Sequence, residues 1–203
     1  MATGQLNLSG SDSAGSTRRT LLRACLILAV IGTIFGLAFA RGCDDKHDAK
    51  VQVVKIGGKT FHLEIADTDA VRTKGLGGRD FIEPDGGMLF VFTQPRVSAF
   101  VMRDCPIPID IIYLDQYGKI LTWHQMTPEP PRTEEEKVLS PPYPGAPEHT
   151  WSNAAYENRL KQYPSRFPTQ FVIELKGGTI PSLNLKEGDK IDLPLAALKS
   201  RAK

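Results

Sequence analysis

The stretch FVMRDCPIPIDIIYLD, residues 100–115, is the most apolar run beyond the N-terminal segment, yet it contains Arg103, Asp104 and Asp110. A charged group in an otherwise apolar strand is costly unless it is paired or hydrogen bonded. Side chains alternate between the two faces of a strand, so Asp110 shares a face with Ile112. The stretch therefore predicts a core strand and also contains the best candidates for a functional site.

Short runs of strand character surround this stretch, and turns rich in glycine and proline separate them. Their close spacing predicts an all-β sandwich or barrel, since no strand–helix–strand rhythm indicates a doubly wound sheet. One or two short helices are expected, and a long proline-rich loop follows residue 126. The other predicted strands cover residues 51–56, 60–66, 88–92, 119–126 and 169–175.

The N-terminal part of the chain has the pattern of an export signal or membrane anchor. Residues 24–40 form an uncharged run of 17 residues, which is long enough to span a bilayer. The sequence TRRTLLR precedes this run at residues 17–23. Arginines on this side predict that the N-terminus stays in the cytoplasm. We therefore expect a disordered cytoplasmic tail over residues 1–17 and a signal or transmembrane segment over residues 18–41. A linker at residues 42–50 then leads to a β-rich extracytoplasmic domain over residues 51–198.

Three fates fit the same segment. It is a single-pass membrane anchor in the favoured interpretation, with residues 44–203 outside the cytoplasm. Ala38 and Ala40 also form a signal-peptidase pattern, which would release the domain after Ala40. Cys43 offers a third route as a lipidated residue, although Arg41 fits a lipoprotein signal poorly. The paired arginines resemble a twin-arginine signal and indicate a bacterial exported protein.

Composition excludes several classes of function. The formal net charge is +2, and residues 1–43 hold four arginines against one aspartate, so the remaining chain is close to neutral. A nucleic-acid-binding protein normally shows a clustered basic face, and none is expected here. The three cysteines form no Cys-x-x-Cys motif and the four histidines are scattered. We therefore expect no metal, no cofactor and no nucleic acid.

Four blocks of sequence resemble the Domain of Unknown Function 192 family of small bacterial and archaeal proteins. The resemblance spans roughly residues 55–193 and implies a compact β-sandwich of jelly-roll character, without an established enzyme activity. The chain departs from the usual pattern at Gly77, Val101, Asp104 and Cys105, where the family usually has Met, Trp, Asn and Thr. The blocks are RTKGLGGRDFIEPDGGMLFVF, FVMRDCPIPIDIIYLDQYGKI, YPSRFPTQFVIELKGG and LKEGD.

The candidate site consists of charged residues from the first two blocks, with one methionine. An arginine fork binds a carboxylate or a phosphate through two parallel hydrogen bonds, which favours a pocket for a small acidic or hydroxyl-rich ligand. In the alternative without a ligand, Arg103 or Arg79 pairs internally with Asp110. The candidate ligand-binding residues are Arg72, Arg79, Met102, Arg103, Asp104 and Asp110.

Two functions from different classes follow. The favoured one is a membrane-tethered extracytoplasmic module that binds a small ligand or assists a partner. The alternative is a hydrolase of envelope polymers that uses Asp110 with a second carboxylate. Asp104 lies roughly 20 Å from Asp110 on an extended strand, too far for such a pair unless the intervening prolines bend the chain. Cys105 has no local histidine to activate it, so a half-buried thiol is expected.

Overall fold

The computed structural model describes residues 51–203. Strand β1 (Val51–Ile56) and strand β2 (Lys59–Ala66) form an antiparallel hairpin. Its turn consists of Gly57 and Gly58, with φ of 54° and 81°. A two-residue hairpin turn needs this left-handed backbone, which glycine adopts without strain.

Four further strands complete a six-stranded mixed sheet. They are β3 (Gly86–Arg96), β5 (Ile109–Leu114), β6 (Ile120–Met126) and β8 (Thr169–Lys176), in the spatial order β1-β2-β3-β8-β5-β6. Only the pair β2–β3 is parallel. A parallel pair needs a crossover connection, and helix α1 (Asp69–Lys74) lies within this one.

The remaining elements are short. Strand β4 (Ala99–Phe100) pairs with β7 (Tyr163–Pro164) in a separate two-stranded sheet. Helix α2 (Ala154–Arg159) lies in the segment between β6 and β7, and helix α3 (Leu195–Lys199) follows β8. Within residues 51–203, three 3-10 helices cover Glu135–Lys137, Glu148–Thr150 and Ile180–Ser182.

Both faces of the large sheet are covered, so β5 is buried at every residue. The first core lies on the face of Ile112 and Leu114, where Leu183 and Leu193 of the C-terminal segment pack against it. The second core lies on the opposite face, around Ile109, Ile111 and Tyr113, and residues from the α1 and β4 regions cover it. Burial of apolar surface on both faces is the main stabilising contribution to this arrangement.

The prediction of a mainly β domain is confirmed, and residues 51–203 contain three short α-helices where one or two were expected. The expected sandwich of jelly-roll character differs from what residues 51–203 form, which is one six-stranded sheet and one two-stranded sheet. The physical reason is that helices, turns and loops, rather than a second large sheet, cover the apolar faces. β5 is an interior strand between β8 and β6, and Pro106 and Pro108 precede it.

Within residues 51–203, no helix has the length and apolar character needed to cross a bilayer. The anchor or signal expected at residues 18–41 lies outside the described residues.

Candidate functional site

Asp110 lies in β5 and faces the first core. Its side chain is almost completely buried, with 1% exposed. Carboxylate Oδ2 accepts a hydrogen bond of 2.7 Å from the backbone N–H of Ile180. Ile180 begins a 3-10 helix, so Asp110 satisfies a backbone donor at the start of that helix. This contact ties the C-terminal segment to the sheet.

The two arginines expected beside Asp110 pair with other carboxylates. Arg103 binds both oxygens of Glu157, with Nε–Oε1 at 2.7 Å and Nη2–Oε2 at 2.6 Å. Arg79 also binds both carboxylate oxygens of its partner, Glu64. Its Nη1 donates to Oε1 and its Nη2 to Oε2, the latter at 2.7 Å. The internal pairing of Arg103 or Arg79 with Asp110 was therefore a wrong expectation. The guanidinium of Arg79 holds the pKa of Glu64 below its usual value.

Arg72 and Met102 take part in contacts that hold the fold together. Arg72 donates to the carbonyl of Val91 at 2.8 Å and to Asp69 at 2.6 Å, and it also binds the carbonyl of Lys203. These contacts join helix α1 to β3 and to the C-terminus. Met102 is a fully buried member of the second core, with 1% exposed.

Asp104 joins the turn after β4 to the long segment between β6 and β7. Its carboxylate accepts hydrogen bonds from Nε and Nη2 of Arg132 at 2.7 and 2.9 Å. Its backbone N–H donates to the hydroxyl of Tyr156 at 2.9 Å. Arg132 also lies over the Tyr156 ring, with its guanidinium carbon 3.7 Å from the ring centroid. Hydrogen bonding to Arg132 lowers the pKa of Asp104.

Glu174 is a buried acid that the sequence prediction did not include. It lies in β8, opposite Met88 and Ile111, and is only 5% exposed. Its Oε2 has no hydrogen-bond partner among the described residues. Burial raises the pKa of Glu174 to about 8, and the nearby charge of Arg79 opposes the shift only in part. At neutral pH the carboxyl is mostly protonated and can donate a hydrogen bond.

Glu174 lines a cavity of about 500 Å³ that we call the Glu174 cavity. Its walls come from helix α1 with the following glycine turn, from β3, from the β4 region and from the 3-10 helix at residues 148–150. Phe90 and Phe100 contribute an apolar wall. Their rings pack edge to face, with the ring centroids 5.0 Å apart. The basic side chains that line the cavity are Arg72, Lys74, Arg96 and Arg103, with His149 beside them.

Two further polar groups line the Glu174 cavity. Ser98 Oγ is buried and has no hydrogen-bond partner among the described residues. The thiol of Cys105 is 9% exposed, and burial with the nearby acids raises its pKa to about 12. A thiol with this pKa is almost entirely protonated at neutral pH, so Cys105 is a poor nucleophile.

A second cavity adjoins the first, and we call it the Trp151 groove. Its volume is about 700 Å³, and Leu139, Trp151 and the Arg103–Glu157 ion pair lie along it. Asp104 and Arg132 line it as well. The residues that line both cavities are Thr73, Lys74, Gly77, Arg103, His149 and Thr150.

The structure thus brings together only part of the predicted constellation. Arg72 and Arg103 line the Glu174 cavity, whereas Asp104 lines the groove. Asp110 is among the lining residues of neither cavity and faces the opposite core. Arg79 and Met102 do not line the two cavities either. The missed residue Glu174 had a signal in the sequence, because it is the only charged residue in the apolar run TQFVIEL, residues 169–175.

Three of the four departures from the family pattern line the Glu174 cavity. Val101 and Gly77 are smaller than the Trp and Met usual at those positions, and Cys105 lies beside them. The fourth, Asp104, binds Arg132 from the long segment between β6 and β7. In the part of the chain from residue 51 onward, no group of three or more potential ligands could hold a metal ion.

These features define a β-rich domain with a partly open polar cavity on one face of its sheet. The chain belongs to the Domain of Unknown Function 192 family, described as Uncharacterized ACR, whose model matches residues 52–193. The resemblance drawn from the four sequence blocks is thereby confirmed. Among curated proteins, no sequence matches this chain significantly.

Two crystal structures are similar to the chain. One is a protein of unknown function from Novosphingobium aromaticivorans, with 23% identity, a TM-score of 0.54 and coverage of 73% of this chain and 89% of that one. The other, from Sinorhizobium meliloti, is provisionally described as a transcription regulator, with 26% identity, a TM-score of 0.48 and coverage of 70% and 90%. The first similarity shows a shared fold, and neither assigns an activity to this chain.

Proposed function

We propose that residues 51–203 form a binding module for a small acidic, hydroxyl-rich ligand that occupies the Glu174 cavity. The observation that carries the proposal is the unpartnered Oε2 of Glu174, buried at a cavity lined by basic side chains. A buried polar atom without a partner costs free energy, and a ligand that supplies the missing hydrogen bond recovers it.

Charge supports an acidic ligand. Arg72 and Arg103 are already paired with carboxylates, but Lys74 and Arg96 have no salt bridge within residues 51–203. These two cations remain available to a ligand carboxylate. The protonated Glu174 carboxyl would then meet a hydroxyl group, because it can both donate and accept a hydrogen bond.

The proposal includes attachment to the membrane. Residues 18–41 would hold the domain outside the cytoplasm, with cleavage after Ala40 or lipidation of Cys43 as the alternative fates. The hydrolase alternative through Asp110 has no observation in its favour, since Asp110 holds the Ile180 N–H on the opposite face of the sheet. The binding module is therefore the function that we propose.

The test is calorimetric titration of the full chain with D-glucuronate and D-gluconate at pH 6.5. We expect saturable binding of at least one of them, and Glu174→Leu should weaken it by about tenfold or more, since one buried hydrogen bond is lost. Asp110→Asn is the matched control, a second buried acid whose loss should leave the affinity of the folded protein unchanged. Absence of binding by both acids, or equal weakening by both variants, would contradict the proposal.

A further inference from the structure

The ligand can be defined further by the groove that continues from the Glu174 cavity. We propose that it is an acidic oligosaccharide of at least two sugar units, with its charged unit beside Glu174 and the neighbouring unit on Trp151. This inference rests on the proposed function and adds a second subsite to it. Three features of the described residues carry it.

The first feature is the continuity of the two cavities. Six residues line both, and Gly77 lies at their junction. A Cβ atom at position 77 would lie only 3.0 Å from the carbonyl oxygen of Lys74 and 3.1 Å from that of Arg103. Glycine at position 77 therefore lets the backbones of Lys74 and Arg103 approach closely at this junction, and the six shared residues make the two cavities continuous for a ligand longer than one ring.

The second feature is Trp151, which is 42% exposed and lines the groove. Its indole Nε1–H donates to the carbonyl of Ala146 at 3.0 Å, so the ring orientation is fixed. An exposed aromatic ring held in this way offers an apolar surface without a large loss of side-chain entropy on binding. A sugar ring presents a matching apolar face of C–H groups, with hydroxyl groups at its edge.

The third feature is the mixed polarity of the groove beside Trp151. The Arg103–Glu157 and Arg132–Asp104 pairs place fixed donors and acceptors side by side along it. Hydroxyl groups both donate and accept hydrogen bonds, so they match such alternating partners. A nucleotide combines an anion with a flat ring as well, but it offers fewer groups of this dual kind beside the ring. Sugar is therefore the favoured occupant.

The test compares four probes by calorimetry on the full chain: D-glucuronate, the acidic disaccharide cellobiouronate, the neutral disaccharide cellobiose, and AMP. We expect cellobiouronate to bind about tenfold more tightly than D-glucuronate, the usual effect of one well-placed aromatic contact. Cellobiose should bind more weakly than either acid. Trp151→Ala should remove the gain of the disaccharide and leave the affinity for D-glucuronate unchanged, whereas Trp151→Phe should keep part of the gain.

Tyr143→Ala is the matched control, because Tyr143 lies in the same segment, is 58% exposed and lines neither cavity. It should leave every affinity unchanged. If D-glucuronate binds but cellobiouronate binds no more tightly, the second subsite is wrong while the proposed function stands. Preferential binding of AMP with the same dependence on Trp151 would overturn the sugar assignment. If neither acid binds, the inference falls together with the proposed function.

Discussion

Asp110 and Glu174 are two buried acids on neighbouring strands that face opposite sides of one sheet. Asp110 holds a backbone N–H, whereas Oε2 of Glu174 has no partner in the described chain. A satisfied buried carboxylate stabilises the fold, and an unsatisfied one costs free energy. The two residues therefore have opposite expected effects on stability, although each is an acid within an apolar strand.

Replacing each acid separately tests this contrast. Glu174→Leu should raise the free energy of unfolding at pH 7 by about 1–3 kcal/mol, because it removes a buried group without a partner. Asp110→Leu should lower it by about 1–3 kcal/mol, because the Ile180 N–H loses its acceptor. Chemical denaturation of both variants measures these changes. Destabilisation by Glu174→Leu as large as that by Asp110→Leu would show that Glu174 is a structural residue.

The pH dependence of stability follows from the raised pKa of Glu174. The group binds a proton at higher pH in the folded state, with a pKa of about 8 against 4.5 in the unfolded chain. The folded state thus holds more protons between these values, so the free energy of unfolding falls as pH rises through the window. The free energy of unfolding should fall by roughly a few kcal/mol across this window, because each unit of pKa difference corresponds to about 1.4 kcal/mol.

Glu174→Gln is the control for this pH effect, since the amide has the same shape and does not titrate. Urea denaturation between pH 5 and about 8.5 should show that the fall in wild-type stability is absent or much smaller in this variant. The acids with lowered pKa, such as Glu64 and Asp104, lose their stabilising charge only below this window. Parallel pH profiles of the two proteins would contradict the assignment of a protonated Glu174.

At the scale of elements, the segment between β6 and β7 docks onto the turn after β4 through charge and aromatic contacts. Arg132 binds Asp104 and lies over Tyr156, while Arg159 pairs with Glu136. Bonding to Arg159 and to the Thr133 N–H lowers the pKa of Glu136 to about 2. Arg132 and Asp104 line the Trp151 groove, so the shape of the groove depends on their contact.

Arg132→Ala should loosen this segment without unfolding the sheet. We expect faster amide hydrogen exchange in helix α2, equivalent to about 1–2 kcal/mol of local stability, since an ion pair and a cation–π contact are lost together. Lys137→Ala removes an exposed ion pair with Glu134 in the same segment and should have no measurable effect. Unchanged exchange in Arg132→Ala would show that other contacts hold the segment.

Strands and turns could be predicted from sequence because apolar runs and Gly/Pro turns are local signals. Alternation along β5 correctly placed Asp110 on the face of Ile112. Which elements cover that face could not be predicted, because β5 and β8 are apolar on both faces and lack the pattern that distinguishes one face from the other. The carboxylates that pair with the arginines could not be predicted either. Arg103 and Glu157 are 54 residues apart, and no local pattern links them.

At the scale of the whole molecule, the proposed function requires that the cavity face the space outside the cytoplasm. The uncharged run at residues 24–40 and the arginines before it support this orientation. A nearly neutral domain with a small polar cavity suits the capture of a soluble acidic molecule rather than of a polyanion. Anchoring would keep that capture at the membrane.

A reporter fused after Lys203 tests the orientation. Alkaline phosphatase, which is active only outside the cytoplasm, should be active in this fusion, and β-galactosidase should not. Replacing Arg18 and Arg19 by lysine should reduce export if the paired arginines act as a twin-arginine signal. An active β-galactosidase fusion would place the domain in the cytoplasm and remove the membrane part of the proposal.

A ligand site at Glu174 is tested most directly by carbon-13 NMR of the Glu174 carboxyl in the full chain, with Glu174→Gln used to assign the resonance. We predict that the group titrates near pH 8 and that its resonance shifts when D-glucuronate is added at pH 6.5. A pKa near the ordinary value of 4.5, together with a chemical shift that neither D-glucuronate nor D-gluconate changes, would contradict a ligand site at Glu174.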